Sequence, residues 1–246
     1  AIEFRSVSFR YPGAEDDVLH SLSFTIEAGQ TVGIMGTTGS GKSTVVNLIP
    51  RFFDVTDGAI LMDGVNLRDV PLRELRDKIG YVPQRSNLFT GTIESNLRYA
   101  DENAAGETLQ LALQIAQGAD FVRERTEGLQ ADVSQGGVNF SGGQKQRLSI
   151  ARALVKRAPI YIFDDSFSAL DYKTDARLRQ ALVRHLRGST VLIVSQRVAT
   201  IKNADQILVL DEGRLIGQGT HETLMETNEI YREIALSQLK QQEALA

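Results

Sequence analysis

The chain has 246 residues, of which 42% are hydrophobic and 24% charged, and it carries a net charge of −4. This length and composition predict a globular protein with a sizeable core, built as one large domain or two coupled lobes, and the acidic balance disfavours a protein that coats nucleic acid. The sequence contains no cysteine, which excludes disulfides, zinc–thiolate centres and thiol catalysis, and none of its apolar runs approaches the ~20 residues of a membrane-spanning helix.

The N-terminal part of the chain is patterned mainly as strands. Ile2–Tyr11 alternates between apolar and polar residues with one slip, which predicts an antiparallel strand with a bulge. Val18–Ile26 continues as a strand. Ala59–Met62 and Val65–Asn66 flank an Asp-Gly turn and predict a hairpin, and Ile79–Val82 is a short strand that ends before a proline.

The rest of the chain changes from helical to mixed patterning. Between about residues 92 and 156, leucines and alanines recur at helical spacing, which predicts a helical lobe. Ile160–Phe163 and Val191–Val194 are unbroken apolar runs, typical of strands buried on both faces of a parallel sheet. A second hairpin is predicted at residues 207–217, and the tail from Glu222 is an amphipathic helix that fades over residues 241–246.

Eight consecutive residues, 36–43 (GTTGSGKS), fit the phosphate-binding pattern G-x-x-x-x-G-K-[ST]. The buried strand Gln30–Met35 precedes them and a helix starting at Thr44 follows, so a helix N-terminus faces the loop. The glycines let backbone N–H groups wrap around phosphate oxygens, while the Lys42 ammonium reaches the β- and γ-phosphates and the Ser43 hydroxyl binds Mg²⁺. The alternative is a glycine-rich turn that holds Lys-Ser by chance, and the flanking strand and helix disfavour it. The predicted nucleotide-binding residues of this segment are Gly36, Thr37, Thr38, Gly39, Ser40, Gly41, Lys42, Ser43 and Thr44.

A second phosphate-associated position follows the apolar run Ile160–Phe163, which ends in Asp164. Ligands of open α/β sheets bind beyond the carboxyl ends of the strands. Asp164 is therefore predicted to hold Mg²⁺ through water beside the glycine-rich loop. The alternative is an aspartate that only opens a turn after a strand.

Residues 139–144 (NFSGGQ), followed by KQR, resemble the signature motif of ABC ATPases, which is usually L-S-G-G-Q. Ser141 and Gln144 have the S-x-x-Q spacing of a capping box and predict a helix over Gln144–Val155. Gly142 and Gly143 leave the helix N-terminus bare, so that its N–H groups can meet an anion. The alternative is a plain helix cap, and the position between the glycine-rich loop and Asp164 favours the signature.

The resemblance covers essentially the whole chain and implies further roles. Tyr11 stands where the family stacks an aromatic ring on adenine, Gln84 matches the glutamine that contacts Mg²⁺ and senses the transport domain, and Asp171 matches the loop that crosses between paired subunits. The alternatives are a core tyrosine, a surface glutamine and a turn aspartate. Residues 88–97 (LFTGTIESNL) and 213–222 are similar to the corresponding segments of exporters.

The resemblance also implies an α/β fold, with a P-loop NTPase (RecA-like) parallel-sheet core, an N-terminal antiparallel β lobe and a helical lobe. Residues 1–246 then form one ABC nucleotide-binding domain, with the core and β lobe at about 1–85 and 157–246 and the helical lobe at about 86–156. Two such domains pair head to tail, and each ATP, with Mg²⁺, lies between the P-loop of one and the signature of the other. The expected partners are a second nucleotide-binding domain and the transmembrane domains of an exporter, at the cytoplasmic face of the cell membrane, and no nucleic acid.

The chain departs from the family at two catalytic positions. After Asp164 the family has a glutamate that polarises the attacking water, but this chain has Asp165. Its carboxylate retreats by about 1.5 Å, one C–C bond, and a displacement of ~1 Å can cost about 10²-fold in rate. After Val191–Val194 the family has Ser-His-Arg, but Gln196 replaces the histidine and lacks its proton chemistry. Residues 134–137 (SQGG) also replace the G-E-R-G that exporters often carry.

These departures suggest a site that binds ATP and hydrolyses it slowly, as in the degenerate-site half of a heterodimeric ABC exporter. The predicted catalytic residues are Lys42, Asp165 and Gln196, and the predicted metal ligands are Ser43, Gln84 and Asp164. The signature, Ser141 to Gln144, is expected to complete the competent site of the partner. Three alternatives stay open, namely a homodimeric exporter that tolerates both substitutions, a non-transport ABC ATPase, and a regulatory module that senses ATP.

Overall fold

The computed structural model describes the backbone of residues 1–244 and the side chains of residues 1–240. The chain divides into two compact units, the first formed by residues 1–79 together with the chain from residue 188 onward, and the second by residues 80–187. The predicted lobe limits, with a helical lobe at about 86–156, follow the secondary-structure pattern of the sequence and remain a prediction.

The described part of the chain alternates between strands and helices. In chain order they are β1 (Ile2–Phe9), β2 (Leu19–Ile26), β3 (Thr31–Gly36), α1 (Lys42–Leu48), β4 (Asp57–Met62), β5 (Val65–Asn66), α2 (Leu72–Asp77), β6 (Ile79–Val82), β7 (Gly91–Thr92), α3 (Ile93–Arg98), α4 (Gly106–Ile115), α5 (Ala119–Arg123), β8 (Asp132–Val133), α6 (Gly142–Val155), β9 (Ile160–Asp164), α7 (Tyr172–His185), β10 (Thr190–Val194), α8 (Val198–Ile201), β11 (Gln206–Asp211), β12 (Arg214–Gly219), α9 (His221–Thr227) and α10 (Glu229–Ala244).

The antiparallel strands of the first unit contain the predicted bulge. β1 pairs antiparallel with β2 and with β4, and its register with β2 shifts between Phe4 and Val7. At the bulge, Ser6 has a left-handed φ of 48°. A Cβ on Gly58 of β4 would lie 2.3 Å from the Ser6 carbonyl oxygen, so only glycine lets β4 pass this point. The strand ends at Phe9, two residues earlier than predicted. The hairpin of β4 and β5 is confirmed.

The parallel strands of the first unit place the glycine-rich loop. β3 pairs in parallel with β10 on one side and with β11 on the other, and β12 pairs antiparallel with β11. Every residue of β10 is buried, as is every residue of β3 except Thr31, which explains the unbroken apolar runs. Because β3 and β10 run in the same direction, Gly36 and Val194 end at one edge of the sheet. The loop into α1 starts at this edge.

The second unit combines two buried strands with the predicted helices. β6 is the neighbour of β9 in the sheet, and all residues of β9 are buried, including Asp164 at its carboxyl end. Helices α3 and α4 pack against α6, which buries Leu148, Ala151 and Leu154. The helical pattern between about residues 92 and 156 is therefore confirmed by α3 to α6.

The C-terminal tail forms two helices instead of the single predicted one. Asn228 separates α9 from α10 with an extended backbone. Its side chain explains the break, because Asn228 Nδ2 donates to the Ile216 carbonyl and Oδ1 accepts from the N–H of Tyr231, which caps α10. The last residues of the predicted fading tail, 245–246, lie outside the described residues. None of the helices described in this structure is long and apolar enough to span a membrane.

Candidate functional site

The loop between β3 and α1 encloses the side chain of Lys42. The Lys42 ammonium donates to the carbonyl oxygens of Gly36, at 2.9 Å, and Thr37, at 2.6 Å, and lies 3.4 Å from Ser40 Oγ. Only 8% of Lys42 is exposed. The helix α1 begins at Lys42 itself, two residues earlier than predicted, so this lysine belongs to the first turn and faces the loop.

Glycine is required at one point of this loop for both conformation and packing. Gly41 has a φ of 95°, in the left-handed region that favours glycine. A Cβ at this position would lie 2.6 Å from Cδ2 of Leu19, which is fully buried. The loop backbone consequently passes close against β2 at the start of α1.

The same loop presents backbone donors that have no acceptor. Among the described residues, no oxygen accepts a hydrogen bond from the N–H of Thr38, Gly39 or Gly41, although the N–H of Ser40 donates to Thr37 at 3.2 Å. Gly41 caps α1 without a side-chain hydrogen bond, and the first turn contains no acidic residue. A loop that combines unpaired N–H groups with a lysine ammonium suits an anion, and we call residues 36–43 the phosphate cradle. The residues present therefore fit the phosphates of a nucleotide.

Tyr11 lies next to the residues that follow the loop. Its hydroxyl is 3.0 Å from the hydroxyl of Thr44 in α1. The ring meets Phe9 and Phe53 edge to face, with centroids 4.8 and 5.2 Å away. These contacts fix the plane of the tyrosine ring beside the phosphate cradle, where the resemblance to ABC ATPases implies stacking on adenine.

Gln196 lies at the sheet edge where the loop begins, in the segment between β10 and α8. The N–H of Ser195 donates to the Ile34 carbonyl of β3, and the N–H of Arg197 donates to Ser195 Oγ at 3.0 Å. The side chain of Gln196 is exposed and makes no hydrogen bond within the described part of the chain. The backbone carbonyl oxygen of Gln196 accepts a hydrogen bond from Nε2 of Gln238, at 2.7 Å.

Gln238 is a residue that sequence analysis missed. It occupies α10, and its Oε1 also accepts the N–H of Val198, at 2.8 Å. The available signal was its spacing, because Gln238 follows the buried Tyr231 and Ala235 at i+7 and i+3 on one face of the helix. A polar residue that continues a buried helical stripe usually has a specific hydrogen-bond partner.

In the second unit, Asp164 closes the strand β9 as predicted and is 4% exposed. Tyr81 Oη donates to Asp164 Oδ2 at 3.4 Å. The buried hydroxyl of Ser166 donates to the carbonyls of Val82, at 3.0 Å, and Asp164, at 3.2 Å. These hydrogen bonds tie the carboxyl ends of β6 and β9 together and fix the backbone around Asp164.

Asp165 and Gln84 are brought into contact. Gln84 Nε2 donates to Asp165 Oδ2 at 3.3 Å. Asp165 has a φ of 45°, in the left-handed region that aspartate tolerates better than most residues. The Asp165 carbonyl accepts from Ser168 Oγ at 2.9 Å, which stabilises the turn. The predicted water-polarising position therefore has a short carboxylate in a constrained backbone conformation.

The signature forms the predicted capping box. The N–H of Gln144 donates to Ser141 Oγ at 3.2 Å, and the N–H of Ser141 donates to Gln144 Oε1 at 3.0 Å. The helix α6 begins at Gly142, two residues earlier than predicted, and a Cβ on Gly142 would meet open space. Burial lowers the pKa of Arg147 in the next turn, and its guanidinium donates to the carbonyls of Gly143 and Gln117.

Asp171 caps the helix α7. Its Oδ1 accepts the N–H of Thr174 at 2.9 Å and its Oδ2 accepts the Thr174 hydroxyl at 2.7 Å. These hydrogen bonds hold the pKa of Asp171 below its usual value. The turn-aspartate interpretation thus describes the local structure well, and a role across a subunit boundary remains a prediction.

The predicted residues fall into two groups. The phosphate cradle, Tyr11 and Gln196 belong to the first compact unit, whereas Gln84, Asp164, Asp165, the signature and Asp171 belong to the second. A magnesium site that combines Ser43 with Gln84 and Asp164 therefore draws on both units and remains a prediction.

An antiparallel β lobe, a parallel-sheet core and a phosphate cradle between β3 and α1 define an ABC ATPase fold. The family model described as "ABC transporter" matches residues 19–168, so the chain belongs to the ABC transporter family. ATP-binding domains of this family bind ATP, generally with Mg²⁺, and are ATPases.

Similar proteins are considerably longer than this chain. An uncharacterised ABC transporter ATP-binding protein of Mycobacterium tuberculosis is 48% identical over 240 residues, which cover 96% of this chain and 41% of that protein. An ATP-dependent lipid A-core flippase of Pseudomonas fluorescens is 44% identical over 231 residues, covering 94% of this chain and 38% of the flippase. The ATP-bound structure of a bacterial Atm1-family ABC exporter superimposes with a TM-score of 0.93 at 39% identity, covering 96% of this chain and 42% of the exporter. The chain thus spans about two fifths of the length of these relatives.

Proposed function

We propose that this chain is the ATP-binding motor domain of an ABC exporter and that its own site binds Mg-ATP but hydrolyses it slowly. One observation carries the binding part of the proposal. The loop between β3 and α1 combines three unpaired N–H donors, at Thr38, Gly39 and Gly41, with the Lys42 ammonium. A triphosphate supplies the anionic acceptors that this set of donors lacks.

The chain's own residues have separate tasks at this site. Lys42 exchanges its hydrogen bonds with the Gly36 and Thr37 carbonyls for phosphate oxygens. Tyr11 would stack on adenine, and Ser43, Gln84 and Asp164 would hold Mg²⁺. The bound ion supplies charge neutralisation at the β- and γ-phosphates.

Slow hydrolysis follows from the two substituted positions. The Asp165 carboxylate is one carbon shorter than the family's glutamate, and Gln84 donates a hydrogen bond to it, which lowers its availability as a base. Gln196 presents an amide instead of an imidazole, so it can donate to the γ-phosphate but cannot exchange a proton near neutral pH. Both changes weaken hydrolysis and preserve binding.

The signature serves a second ATP in this proposal. Gly142 is the first residue of α6 and has open space where a side chain would lie, and the first turn contains no acidic residue. The helix N-terminus is therefore suited to a phosphate of ATP bound by a partner domain. Ser141 to Gln144 thereby complete the competent site of a second, non-identical nucleotide-binding domain, and both domains couple to transmembrane domains at the cytoplasmic face of the membrane.

The comparisons favour an exporter over the alternative classes. One relative is an ATP-dependent flippase and one similar structure is an ABC exporter, and both match nearly the whole chain. The heterodimeric arrangement is inferred only from the combination of an intact signature with Asp165 and Gln196.

The test restores the family residues in the full-length protein assembled with its partner. Asp165→Glu combined with Gln196→His is expected to raise ATP turnover several-fold, because both catalytic groups regain their usual chemistry. Lys42→Ala is the control and is expected to abolish photolabelling of this chain by azido-ATP. Unchanged turnover in the double variant would refute the slow-site proposal, and photolabelling that survives Lys42→Ala would refute the ATP site itself.

A further inference from the structure

The segment that carries Gln196 is held by a side chain from the C-terminal helix. Gln238 Nε2 lies 2.7 Å from the Gln196 carbonyl oxygen, and Gln238 Oε1 lies 2.8 Å from the Val198 nitrogen. A carbonyl only accepts and a backbone N–H only donates, so both contacts agree on the orientation of the Gln238 amide. One side chain therefore satisfies two backbone groups on either side of Arg197.

Both backbone groups need an outside partner. Arg197 is the N-cap residue of α8 and provides no side-chain cap, so Gln238 supplies an acceptor for Val198 at the start of that helix. The N–H of Arg197 is already used by Ser195 Oγ. Without Gln238, the Gln196 carbonyl and the Val198 N–H lose these partners, although Ser195 remains hydrogen-bonded to β3.

The helix α10 is firmly placed where it offers Gln238. Tyr231 is fully buried, its hydroxyl lies 2.8 Å from His221 Nδ1, and Ala235 is 2% exposed. Burial raises the pKa of Tyr231 to about 12, so its hydroxyl stays protonated. Tyr231, Ala235 and Gln238 follow one another on the same helix face. Gln238 is thus an extension of the buried stripe that anchors α10.

We infer that Gln238 is a positioning residue for Gln196. Its amide fixes the backbone on both sides of the switch segment, 196–198, while the Gln196 side chain stays exposed and without a hydrogen bond among the described residues. A fixed backbone beneath this exposed amide limits where the amide can reach. Gln238 thereby favours the arrangement in which Gln196 contacts a γ-phosphate, and this role rests on the ATP site proposed above.

Two substitutions separate the two hydrogen bonds. Gln238→Met has a similar length and removes both bonds, whereas Gln238→Glu keeps the acceptor for Val198 and removes the donor to Gln196. Lys240→Met is the matched control, because Lys240 is exposed on the same helix. In the full-length protein without nucleotide, Gln238→Met is expected to speed hydrogen exchange of residues 196–201 about tenfold, Gln238→Glu less, and Lys240→Met not at all.

Nucleotide selectivity tests the functional role. Photolabelling of this chain by azido-ATP is competed with a non-hydrolysable ATP analogue or with ADP, which lacks the γ-phosphate. Gln238→Met is expected to lower the affinity for the ATP analogue about fivefold and to change the affinity for ADP by less than about twofold. In a Gln196→Ala background, Gln238→Met is expected to have no further effect on this ratio, because it acts through Gln196.

The outcomes distinguish the two proposals. Unchanged exchange of residues 196–201 in Gln238→Met, or faster exchange with an unchanged ratio of ATP to ADP affinity, overturns the positioning role while wild-type ATP binding stands. An equal loss of ATP and ADP affinity in Gln238→Met also overturns it, because that result marks a structural role alone. A wild-type protein that binds neither nucleotide overturns the ATP site and the positioning role together.

Discussion

The side-chain amide of Gln84 donates a hydrogen bond to the carboxylate of Asp165, with 3.3 Å between Nε2 and Oδ2. The two residues follow β6 and β9, and the hydrogen bonds of Ser166 join the ends of these strands. The contact connects a predicted magnesium ligand, Gln84, to the residue that stands where the family has its catalytic glutamate. Asp165 is therefore oriented by a neighbour, in a left-handed backbone conformation with φ of 45°.

The left-handed conformation predicts a stability cost for restoring the glutamate. Aspartate visits this region more readily than residues with longer side chains, so Asp165→Glu is expected to lower the free energy of unfolding by about 1 kcal/mol while it raises ATP turnover. Asp165→Asn is the control, since asparagine tolerates the same backbone, and it should keep the stability without the gain in turnover. Denaturant unfolding and phosphate release measure the two effects. A glutamate variant that is as stable as the wild type and no faster contradicts the argument.

Two glycines of the phosphate cradle are expected to differ in their tolerance of alanine. Gly39 and Gly41 both have a left-handed φ, of 85° and 95°, but a Cβ on Gly39 meets open space and one on Gly41 lies 2.6 Å from Leu19 Cδ2. Gly39→Ala should cost about 1 kcal/mol of unfolding free energy, and Gly41→Ala a further 1–3 kcal/mol or so from overpacking. Unfolding without nucleotide measures both values. Equal losses for the two variants would show that the contact with Leu19 relaxes without cost.

The capping box of the signature predicts a double effect for Ser141→Ala. Loss of the hydroxyl that accepts the Gln144 N–H should destabilise α6 by about 1 kcal/mol. In the assembled protein it should also slow ATP turnover at the partner's site, while azido-ATP photolabelling of this chain is unchanged. Thr220→Ala is the matched control, because Thr220 accepts the Thr223 N–H at the N-cap of α9 and should lose similar stability without slowing turnover. Equal turnover in the two variants argues against a role of the signature in the partner's site.

The hydrogen bonds of Asp171 predict that the free energy of unfolding depends on pH in the acid range. Hydrogen bonds from Thr174 lower the folded-state pKa of Asp171, so the ionised carboxylate stabilises the fold. This stabilisation is complete above the unfolded-state pKa of about 3.9 and is lost as the pH falls through the lower folded-state pKa. Asp171→Asn should therefore be less stable than the wild type near neutral pH, and the difference should disappear in strong acid. Unfolding measured over a pH series checks this. A difference that grows as the pH falls contradicts it.

The regular parts of the fold were predictable from local patterns. Unbroken apolar runs predicted the buried strands β9 and β10, and the slip in the alternation of β1 predicted its bulge. The S-x-x-Q spacing predicted the hydrogen bonds between Ser141 and Gln144. These features depend on residues close together in the chain, so a periodicity or a spacing is enough to reveal them.

The helix boundaries and the contacts between residues far apart in the chain were harder to predict from the sequence. The helices α1 and α6 begin two residues earlier than predicted, at Lys42 and Gly142, because helix starts depend on cap geometry that residue types indicate only approximately. The break at Asn228 depends on a hydrogen bond to Ile216 in β12. No local pattern encodes such a partner.

The order of residues in the chain was enough to predict the phosphate loop, the signature and two altered catalytic positions, because each is a choice of residue types within a few neighbouring positions. Only the folded structure revealed the hydrogen bond from Gln84 to Asp165, the left-handed backbone of Asp165 and the hydrogen bonds of Gln238 with the segment after β10. The reason is geometric, since Gln196 and Gln238 are 42 positions apart and meet only because the buried face of α10 carries one amide to the backbone of the other residue.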